Sequence, residues 1–490
     1  MQQQRTLVVA TTSDYIDILR HKFPEKNLLF ITAPAIRAKA VEETPPADEE
    51  LLCELDSSQT VIDNLKDYIL NYDITLKGVA CFDCESMELC ANIALAFSLP
   101  YPSVETVLAC RDKSSTRKIW HSNGVKTPEY ARVSSAEQSV KFFEDVKMPC
   151  VLKPVDSSGS ERVFRCTTSK ECEEAYAIIS SPQNSPDIII ETCVDGIEYS
   201  CDFIINRTVN STQAVDLATG VQIKIGETSD TDRFVQVRET AYRHDVIPLR
   251  FTRKIHAPIS VFGTIMAYEV VEFPAGNFLE EELLSLLAKA AATLGITRGI
   301  CMVDFIVRSN SLSSVINYGD CNYEDSSGSI NYGTDNRSAS LKRDSIYLLE
   351  MTPRPGGDCL PWLIQKSMNI DILKLNLDLA RQSYLEDTYS GTYKGFLNKP
   401  SLSKPLVGLR IHADQEGVLD SVNTQRVESD PRVVEVFIKH KSGHRIVLPP
   451  KDYDSWNLGH IIFNPYEDVP CKDQCINLLS MLKIELVALC

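Results

Sequence analysis

The first 110 residues alternate short apolar runs with segments of helical periodicity. Apolar runs predict strands at 7–10, 28–31 and 78–82. Apolar residues at helical spacing predict helices at 15–23, 61–70 and 87–97. Because strands and helices follow one another in this order, we expect a small parallel sheet with helices on its faces.

Three later strand-like runs each carry one charged residue. Lys153, Asp304 and Glu350 each lie within or at the end of an apolar run that predicts a buried strand. Charged side chains are rarely buried without a partner. Two carboxylates on adjacent strands repel each other unless a cation lies between them, so Asp304 and Glu350 are candidate ligands of a hard cation. Lys153 precedes a loop of small residues and is a candidate phosphate ligand.

The residues after Glu350 add an arginine and a glycine-containing turn. Arg354 can hold phosphate or carboxylate through two N–H groups. Gly356 and Gly357 allow the backbone to approach a ligand closely. A surface ion pair between Glu350 and Arg354 explains this stretch equally well when it is read alone.

Two further features suit a phosphate group. Ser157, Ser158, Gly159 and Ser160 form a loop whose backbone N–H groups and hydroxyls can face phosphate oxygens, although no Walker motif is present. Lys113 opens a predicted helix, where the helix dipole disfavours a cation unless an anion binds there. An ordinary exposed lysine is the alternative for Lys113.

A short connector joins two strand-like runs in the middle of the chain. Its residues Glu191, Thr192, Cys193 and Val194 can offer backbone groups to the flat edge of a purine. Glu198 begins the second run and can accept hydrogen bonds from ribose hydroxyls. An edge strand with solvated acids is the alternative.

A basic cluster stands out in this acidic chain: Arg243, His244, Arg250, Arg253 and Lys254. It suits phosphates or a substrate carboxylate, but a solvated basic face explains it equally well. Residues 309–340 are rich in Ser, Asn, Asp and Gly and are predicted to be a flexible hairpin insertion. The tail from about residue 404 predicts a small antiparallel domain.

Length, charge and cysteine usage exclude several classes of protein. A chain of 490 residues is expected to hold several domains. The net charge of −17 argues against a nucleic-acid partner, and no apolar run is long enough to cross a membrane. The N-terminus does not resemble a signal peptide, so the sixteen cysteines are expected to be reduced thiols in a cytoplasmic protein. Structural roles are expected for the pairs Cys81/Cys84 and Cys471/Cys475.

These spaced motifs together resemble the ATP-grasp superfamily over about residues 1–400. The resemblance implies an α/β (α+β) ATP-grasp fold with an N-terminal Rossmann-like parallel-sheet domain and a small, mostly antiparallel C-terminal domain. The implied divisions are an N-terminal domain at 1–110, a small lobe at 111–195, a large lobe at 196–400 and a C-terminal domain at 401–490. Superfamily members often form homodimers.

The resemblance also assigns roles to the candidate residues, with ATP and Mg²⁺ (or Mn²⁺) as the implied cofactors. For the nucleotide, the implied roles are phosphate binding by Lys113 and Lys153, closure over the phosphates by Ser157, Ser158, Gly159 and Ser160, adenine binding by Glu191, Thr192, Cys193 and Val194, and ribose binding by Glu198. Metal binding is implied for Asp304, Glu350 and Thr352. Acyl-phosphate binding is implied for Arg354. Thr352 departs from the family, which usually has asparagine there, and its hydroxyl is a shorter and weaker metal ligand.

Within the superfamily, the stretch after Glu350, the region 268–274 and the tail resemble the amino-acid and dipeptide ligases. There Glu269 matches a position that faces a substrate amino group. The implied reaction joins a small-molecule carboxylate to an amine through an acyl phosphate and releases ADP and phosphate. The alternatives are an ATP-grasp carboxylase or purine-pathway ligase, a ligase that modifies proteins, and a nucleotide-binding regulator without catalysis.

Overall fold

The structure is a computed structural model, and it describes most of the chain. The described residues are 3–9, 13–38, 40, 43–157, 159, 161–181, 187–206, 213–216, 222–224, 235–236, 246–257, 263–272, 278–308, 346–381, 404–449 and 451–487. The predicted insertion at 309–340 lies outside them, as do Arg243 and His244 of the basic cluster.

The N-terminal part forms the parallel sheet that the periodicity predicts. Its strands are β1 (Gln3–Val9), β2 (Leu28–Thr32), β3 (Glu50–Leu52) and β4 (Ile74–Ala80), paired in the order β3-β2-β1-β4 among the described residues. Its helices are α1 (Ser13–Lys22), α2 (Pro34–Arg37), α3 (Ser58–Asn71) and α4 (Met87–Phe97), with a 3₁₀ turn at Pro24–Lys26. Both faces of the sheet are covered, which explains its continuous apolar runs.

A second, antiparallel sheet carries the predicted phosphate lysine and connector. Within the described chain its strands are β5 (Tyr130–Val133), β6 (Cys150–Pro154), β7 (Phe164–Cys166) and β8 (Ile188–Thr192), in the order β5-β8-β6-β7. The helices of this region are α5 (Val104–Arg111), α6 (Lys113–Ser122), α7 (Ala136–Val146) and α8 (Ser169–Ile179). Residues of α7 and α8 pack on this sheet and form its core.

The remaining strands build a large central sheet and two small ones. They are β9 (Gly196–Asn206), β10 (Gln213–Asp216), β11 (Gln222–Lys224), β12 (Val235–Gln236), β13 (Val246–His256), β14 (Ile265–Val270), β15 (Arg298–Arg308), β16 (Ile346–Thr352), β17 (Val407–His412), β18 (Gly417–Asn423), β19 (Val433–Ile438), β20 (Arg445–Ile446), β21 (Asn457–Phe463) and β22 (Lys483–Val487). The helices are α9 (Phe278–Thr293), α10 (Leu360–Met368), α11 (Ile372–Ala380), α12 (Gln425–Glu428) and α13 (Cys471–Met481).

The central antiparallel sheet continues into the C-terminal tail. Its order in the described chain is β16-β15-β9-β13-β14-β17-β21-β19, so β14 pairs directly with β17 of the tail. The strands β20, β18 and β22 pair separately, as do β11, β10 and β12. Helix α11 returns to the N-terminal sheet, where Leu373 and Leu377 pack against Val8 and Phe30. These contacts tie the parts of the chain together, and the sequence-based domain boundaries stay predictions.

Among the described residues the cysteines are free thiols, and most of them are buried. None of the helices in the described ranges combines the length and apolar character that a bilayer crossing requires.

A buried ion pair fixes the glycine turn that follows β16. Arg250 Nε donates to Asp202 Oδ2 over 2.6 Å, and both side chains are fully buried. The other carboxylate oxygen of Asp202 accepts from the backbone N–H of Gly356 over 2.7 Å. A Cβ atom at Gly356 would lie 2.7 Å from Leu360 Cδ1 and 3.1 Å from Asp202 Oδ2, so a larger residue would displace these side chains.

We predict that Asp202→Asn lowers the free energy of unfolding by about 3–5 kcal/mol, because it leaves the Arg250 charge buried without a counterion. Urea unfolding measures the change. The matched control is Asp63→Asn, which removes an exposed partner of Lys66 and is expected to leave the transition where it is. Equal effects of the two substitutions would contradict the structural role of the buried pair.

Candidate active site

A cavity of about 1250 Å³ is lined by residues from the N-terminal sheet, the small antiparallel sheet, the central sheet and the C-terminal tail. It brings together most of the residues that the sequence singled out: Lys113, Lys153, Ser157, Gly159, Glu191, Thr192, Cys193, Val194, Glu198, Asp304, Glu350, Thr352 and Arg354. Ser158 and Ser160 lie outside the described residues.

The side chain of Glu191 joins two cations at the wall of the cavity. Its carboxylate pairs with Lys153 and accepts from Arg117 Nε over 3.1 Å. Arg117, fully buried on α6, also donates to the carbonyl of Leu349 on β16. Burial alone would raise the pKa of Glu191, but Arg117 and Lys153 outweigh it and lower the pKa to about 2. The sequence assigned only a backbone role to Glu191 and did not single out Arg117, which follows Lys113 by one helical turn.

Lys113 is buried at the start of α6, so the interpretation as an ordinary exposed lysine is wrong. Its side chain donates to the carbonyl of Ser157, and its ammonium lies 3.9 Å from Glu350 Oε2. Burial lowers the pKa of Lys113, and the Glu350 carboxylate acts in the opposite direction. Asp112 caps the helix by accepting from the N–H of Ser115, which leaves Lys113 directed at the loop and the carboxylate.

Asp304 and Glu350 lie directly opposite each other on β15 and β16. A fourth cation, Lys254, lies 2.6 Å from Asp304 Oδ2 and 2.7 Å from Glu198 Oε1. Burial, together with the charges of Glu350 and Glu198, raises the pKa of Asp304 to about 6 against the lowering effect of Lys254. Lys254 is therefore a residue of the site, although the sequence marked it only as a member of the basic cluster.

The other described members of the basic cluster also pair with carboxylates. Arg250 holds Asp202, and Arg253 Nε donates to Glu269 over 2.7 Å. A solvated basic face is therefore the wrong interpretation for the described part of the cluster, because these side chains are committed to ion pairs.

The role predicted for Glu269, facing a substrate amino group, stays a prediction. Neighbouring residues of a strand point to opposite faces of the sheet, and on β14 it is Tyr268 that lines the cavity. Glu269 is held by Arg253 and does not line the cavity. The acids that line the N-terminal wall instead are Asp83 and Glu85, which follow β4. Burial raises the pKa of Asp83 to about 6.

The donor set at the paired carboxylates fits a magnesium ion that is shared with a phosphate. Asp304 Oδ1 and Thr352 Oγ1 are buried oxygens without a hydrogen-bond partner in the described structure. In that same part of the chain, no group of three or more His, Cys, Asp or Glu side chains could hold a metal ion. Mg²⁺ commonly takes one or two carboxylates and completes its shell with phosphate oxygens and water, so Asp304, Glu350 and Thr352 suit a metal–nucleotide complex.

Arg354 contacts the N-terminal part of the chain and not Glu350. Its Nη2 and Nε atoms lie 2.7 and 3.0 Å from Cys84 Sγ, and Nη1 donates to the carbonyl of Pro355 over 2.6 Å. A simple surface ion pair with Glu350 is therefore the wrong interpretation. Cys84 also lines the cavity, so this thiol of the Cys81-Phe-Asp-Cys84 stretch lies within the site.

The family model described as ATP-grasp domain matches residues 110–358, just over half of the chain. The chain therefore belongs to the ATP-grasp family. It is similar to D-alanine–D-alanine ligases of Acidovorax ebreus, at 29% identity over 108 residues, and Paracidovorax citrulli, at 30% over 105 residues. These matches cover 22% and 21% of this chain and only about a third of the relatives, 32% and 31%.

Solved structures of low sequence identity share the fold across the whole chain. An L-amino acid ligase from Bacillus licheniformis has a TM-score of 0.68 at 16% identity, with 99% of this chain and 100% of that chain covered. Phosphoribosylglycinamide synthetase from Anaerococcus prevotii has a TM-score of 0.57 at 16% identity, with the same coverage. The ATP-grasp fold that the sequence predicts is thereby confirmed.

We predict that Glu191→Gln destabilises the protein in a pH-dependent way. Because the folded-state pKa of Glu191 is about 2 and that of an unfolded glutamate is about 4.3, the ionised carboxylate stabilises the fold fully above about pH 5. This contribution declines as the pH falls towards 2. Thermal unfolding of wild type and variant should therefore differ most at neutral pH and converge in acid. An exposed control, Glu467→Gln, should show no such trend, and a constant difference at every pH would contradict the account.

Proposed function

We propose that the chain is an ATP-dependent carboxylate–amine ligase that releases ADP and phosphate. The observation that carries the proposal is the convergence of cations on the carboxylates of Asp304 and Glu350 in one cavity of an ATP-grasp chain. Two buried oxygens there, Asp304 Oδ1 and Thr352 Oγ1, have no hydrogen-bond partner in the described structure. Similarity to an L-amino acid ligase and to D-alanine–D-alanine ligases supports amino acids or small peptides as substrates.

The nucleotide would lie between the connector and the paired carboxylates. Lys113 and Lys153 are the phosphate ligands in this proposal, and backbone groups of the connector after Glu191 contact adenine. Glu198 accepts from the ribose hydroxyls. Burial alone would raise the pKa of Glu198, but Lys254 and His256 lower it, so the carboxylate is ionised and suited to accept.

Asp304, Glu350 and Thr352 would hold Mg²⁺ against the phosphates. When bound, the ion supplies positive charge that offsets the negative charge of the phosphate groups. One solved structure with a similar fold is the biotin carboxylase domain of a 2-oxoglutarate carboxylase from Hydrogenobacter thermophilus. That structure is a complex with MgADP, ADP and bicarbonate. Thr352 is a shorter ligand than asparagine and still presents a hydroxyl oxygen.

The chemistry proceeds in two displacements. A carboxylate oxygen of the first substrate attacks the γ-phosphorus of ATP, and the bond to the ADP oxygen breaks. The amine nitrogen of the second substrate then attacks the acyl carbon, the bond to phosphate breaks, and the nitrogen loses a proton. Arg354 holds the acyl phosphate, and Asp83, whose raised pKa is about 6, is suited to accept that proton.

We predict that ADP appears only when a carboxylate and an amine are both supplied, and that Lys153→Ala lowers ADP release by about 100-fold or more. A matrix of amino acids and amines, with phosphate release and product mass as readouts, measures this. The control is Lys170→Ala, whose side chain is 83% exposed.

Three outcomes of this matrix would contradict the proposal. Release of AMP and pyrophosphate would indicate adenylation. ADP release that depends on bicarbonate would favour a carboxylase. ATP binding without turnover across the whole panel would favour a regulator without catalysis.

We predict that Thr352→Val raises the Mg²⁺ concentration needed for half-maximal ADP release by roughly tenfold, because it removes a metal-facing oxygen and keeps the shape of the side chain. Thr352→Asn supplies an amide oxygen and should restore or exceed wild-type affinity for the metal. Identical magnesium dependence of ADP release in wild type, Thr352→Val and Thr352→Asn would show that Thr352 is not a metal ligand.

A further inference from the structure

One wall of the cavity is built from five aromatic rings. Tyr15, Phe82, Trp362, Phe437 and His460 all line the cavity, and we call them the aromatic wall. Tyr15 stacks on Phe82 with ring centroids 5.6 Å apart and meets Trp362 edge-on at 6.3 Å. Trp362 in turn stacks on Phe437 at 5.6 Å, and His460 contacts both of these rings at 5.2 Å.

The aromatic wall combines distant parts of the chain. Tyr15 belongs to α1, Phe82 follows β4, Trp362 lies on α10, and the last two rings belong to β19 and β21. Phe82 and His460 are only 4% and 2% exposed and form the back of the wall. The three other rings are half-buried and form its face. An apolar surface that faces a cavity is suited to an apolar ligand group.

The aromatic wall lies beside the group proposed to hold the acyl phosphate. Phe82 is two residues before Cys84, whose Sγ atom contacts Arg354 at 2.7 Å. Trp362 is near the start of the helix that follows the glycine turn after Arg354. A side chain attached to a carboxylate at Arg354 therefore has the wall within reach.

Charged groups around the aromatic wall are mostly neutralised by pairing. Behind it, Glu435 lies 3.5 Å from His460 and 3.0 Å from Lys366. Asp358 pairs with Arg410 at the side of the cavity.

The cavity volume of about 1250 Å³ also exceeds the roughly 300–1,000 Å³ of common ligand pockets, which leaves space beyond a nucleotide.

We propose that the aromatic wall is the side-chain subsite of the carboxylate substrate and selects an amino acid with an aromatic or large aliphatic side chain. This inference rests on the proposed ligase function. Offset-stacked and edge-to-face ring contacts, together with the loss of water from apolar surface, favour such side chains over a methyl group.

The test compares carboxylate substrates at a fixed amine. Wild type is expected to use phenylalanine better than alanine, and Trp362→Ala should lower the ratio of the two kcat/KM values by about 10- to 100-fold. Trp362→Phe should restore much of the ratio, which separates a subsite from a folding defect. The control is Tyr466→Ala, a 54% exposed ring outside the cavity lining, and it should leave the ratio unchanged.

A binding measurement separates this proposal from the proposed function. Calorimetry with a non-hydrolysable ATP analogue should detect phenylalanine binding to wild type and a loss of about tenfold or more in Trp362→Ala, whether or not turnover occurs. Phenylalanine binding without any ADP release would overturn the proposed ligase function and would leave the proposed side-chain subsite standing. A preference for alanine, an equal loss for both substrates in Trp362→Ala, or the same change in Tyr466→Ala would overturn the subsite.

Discussion

The buried carboxylate of Glu191 is the interaction on which the geometry of the site most depends. It joins Lys153 of β6 to Arg117 of α6, and Arg117 reaches on to the carbonyl of Leu349 beside the paired carboxylates. Removing its charge would leave two buried cations without a counterion, an arrangement that costs several kcal/mol. One side chain thus sets the relative positions of the connector, a phosphate lysine and the strand that carries Glu350.

A second set of contacts completes the cavity from the other side. Asp202 holds the turn at Gly356, and the arginine of that turn reaches Cys84 after β4. The N-terminal sheet is therefore part of the site and not only a neighbouring domain. The aromatic wall continues the same junction, because its rings come from α1, the segment after β4, α10 and the strands β19 and β21.

Sequence patterns predicted the elements and the residues of the site better than the partners of those residues. The apolar runs around Asp304 and Glu350 were sufficient to indicate two acids on buried strands, because a buried strand shows directly in the composition of its sequence. The two acids lie opposite each other, Asp304 buried and Glu350 35% exposed. Glu269 pairs with Arg253 while its neighbour Tyr268 takes the cavity-facing position, and strand alternation needs a known face before it can decide between two adjacent residues.

Long-range pairings account for the other differences. The partners of Lys254 lie 56 residues before it and 50 residues after it, and the thiol that contacts Arg354 lies 270 residues away. Local spacing carries no information about such pairs, so the basic cluster and the Cys81/Cys84 pair could not be resolved from one sequence. Arg117 could have been found from its position one helical turn after Lys113, on the same face of α6.

The central claim is that a substrate carboxylate is phosphorylated in this cavity before an amine displaces the phosphate. The most direct measurement supplies a carboxylate labelled with ¹⁸O in both oxygens, together with ATP and an amine, and analyses the phosphate by mass spectrometry. The account predicts one ¹⁸O atom in each phosphate released, because the bond between carbon and the bridging oxygen breaks. Unlabelled phosphate, or label in AMP, would contradict it.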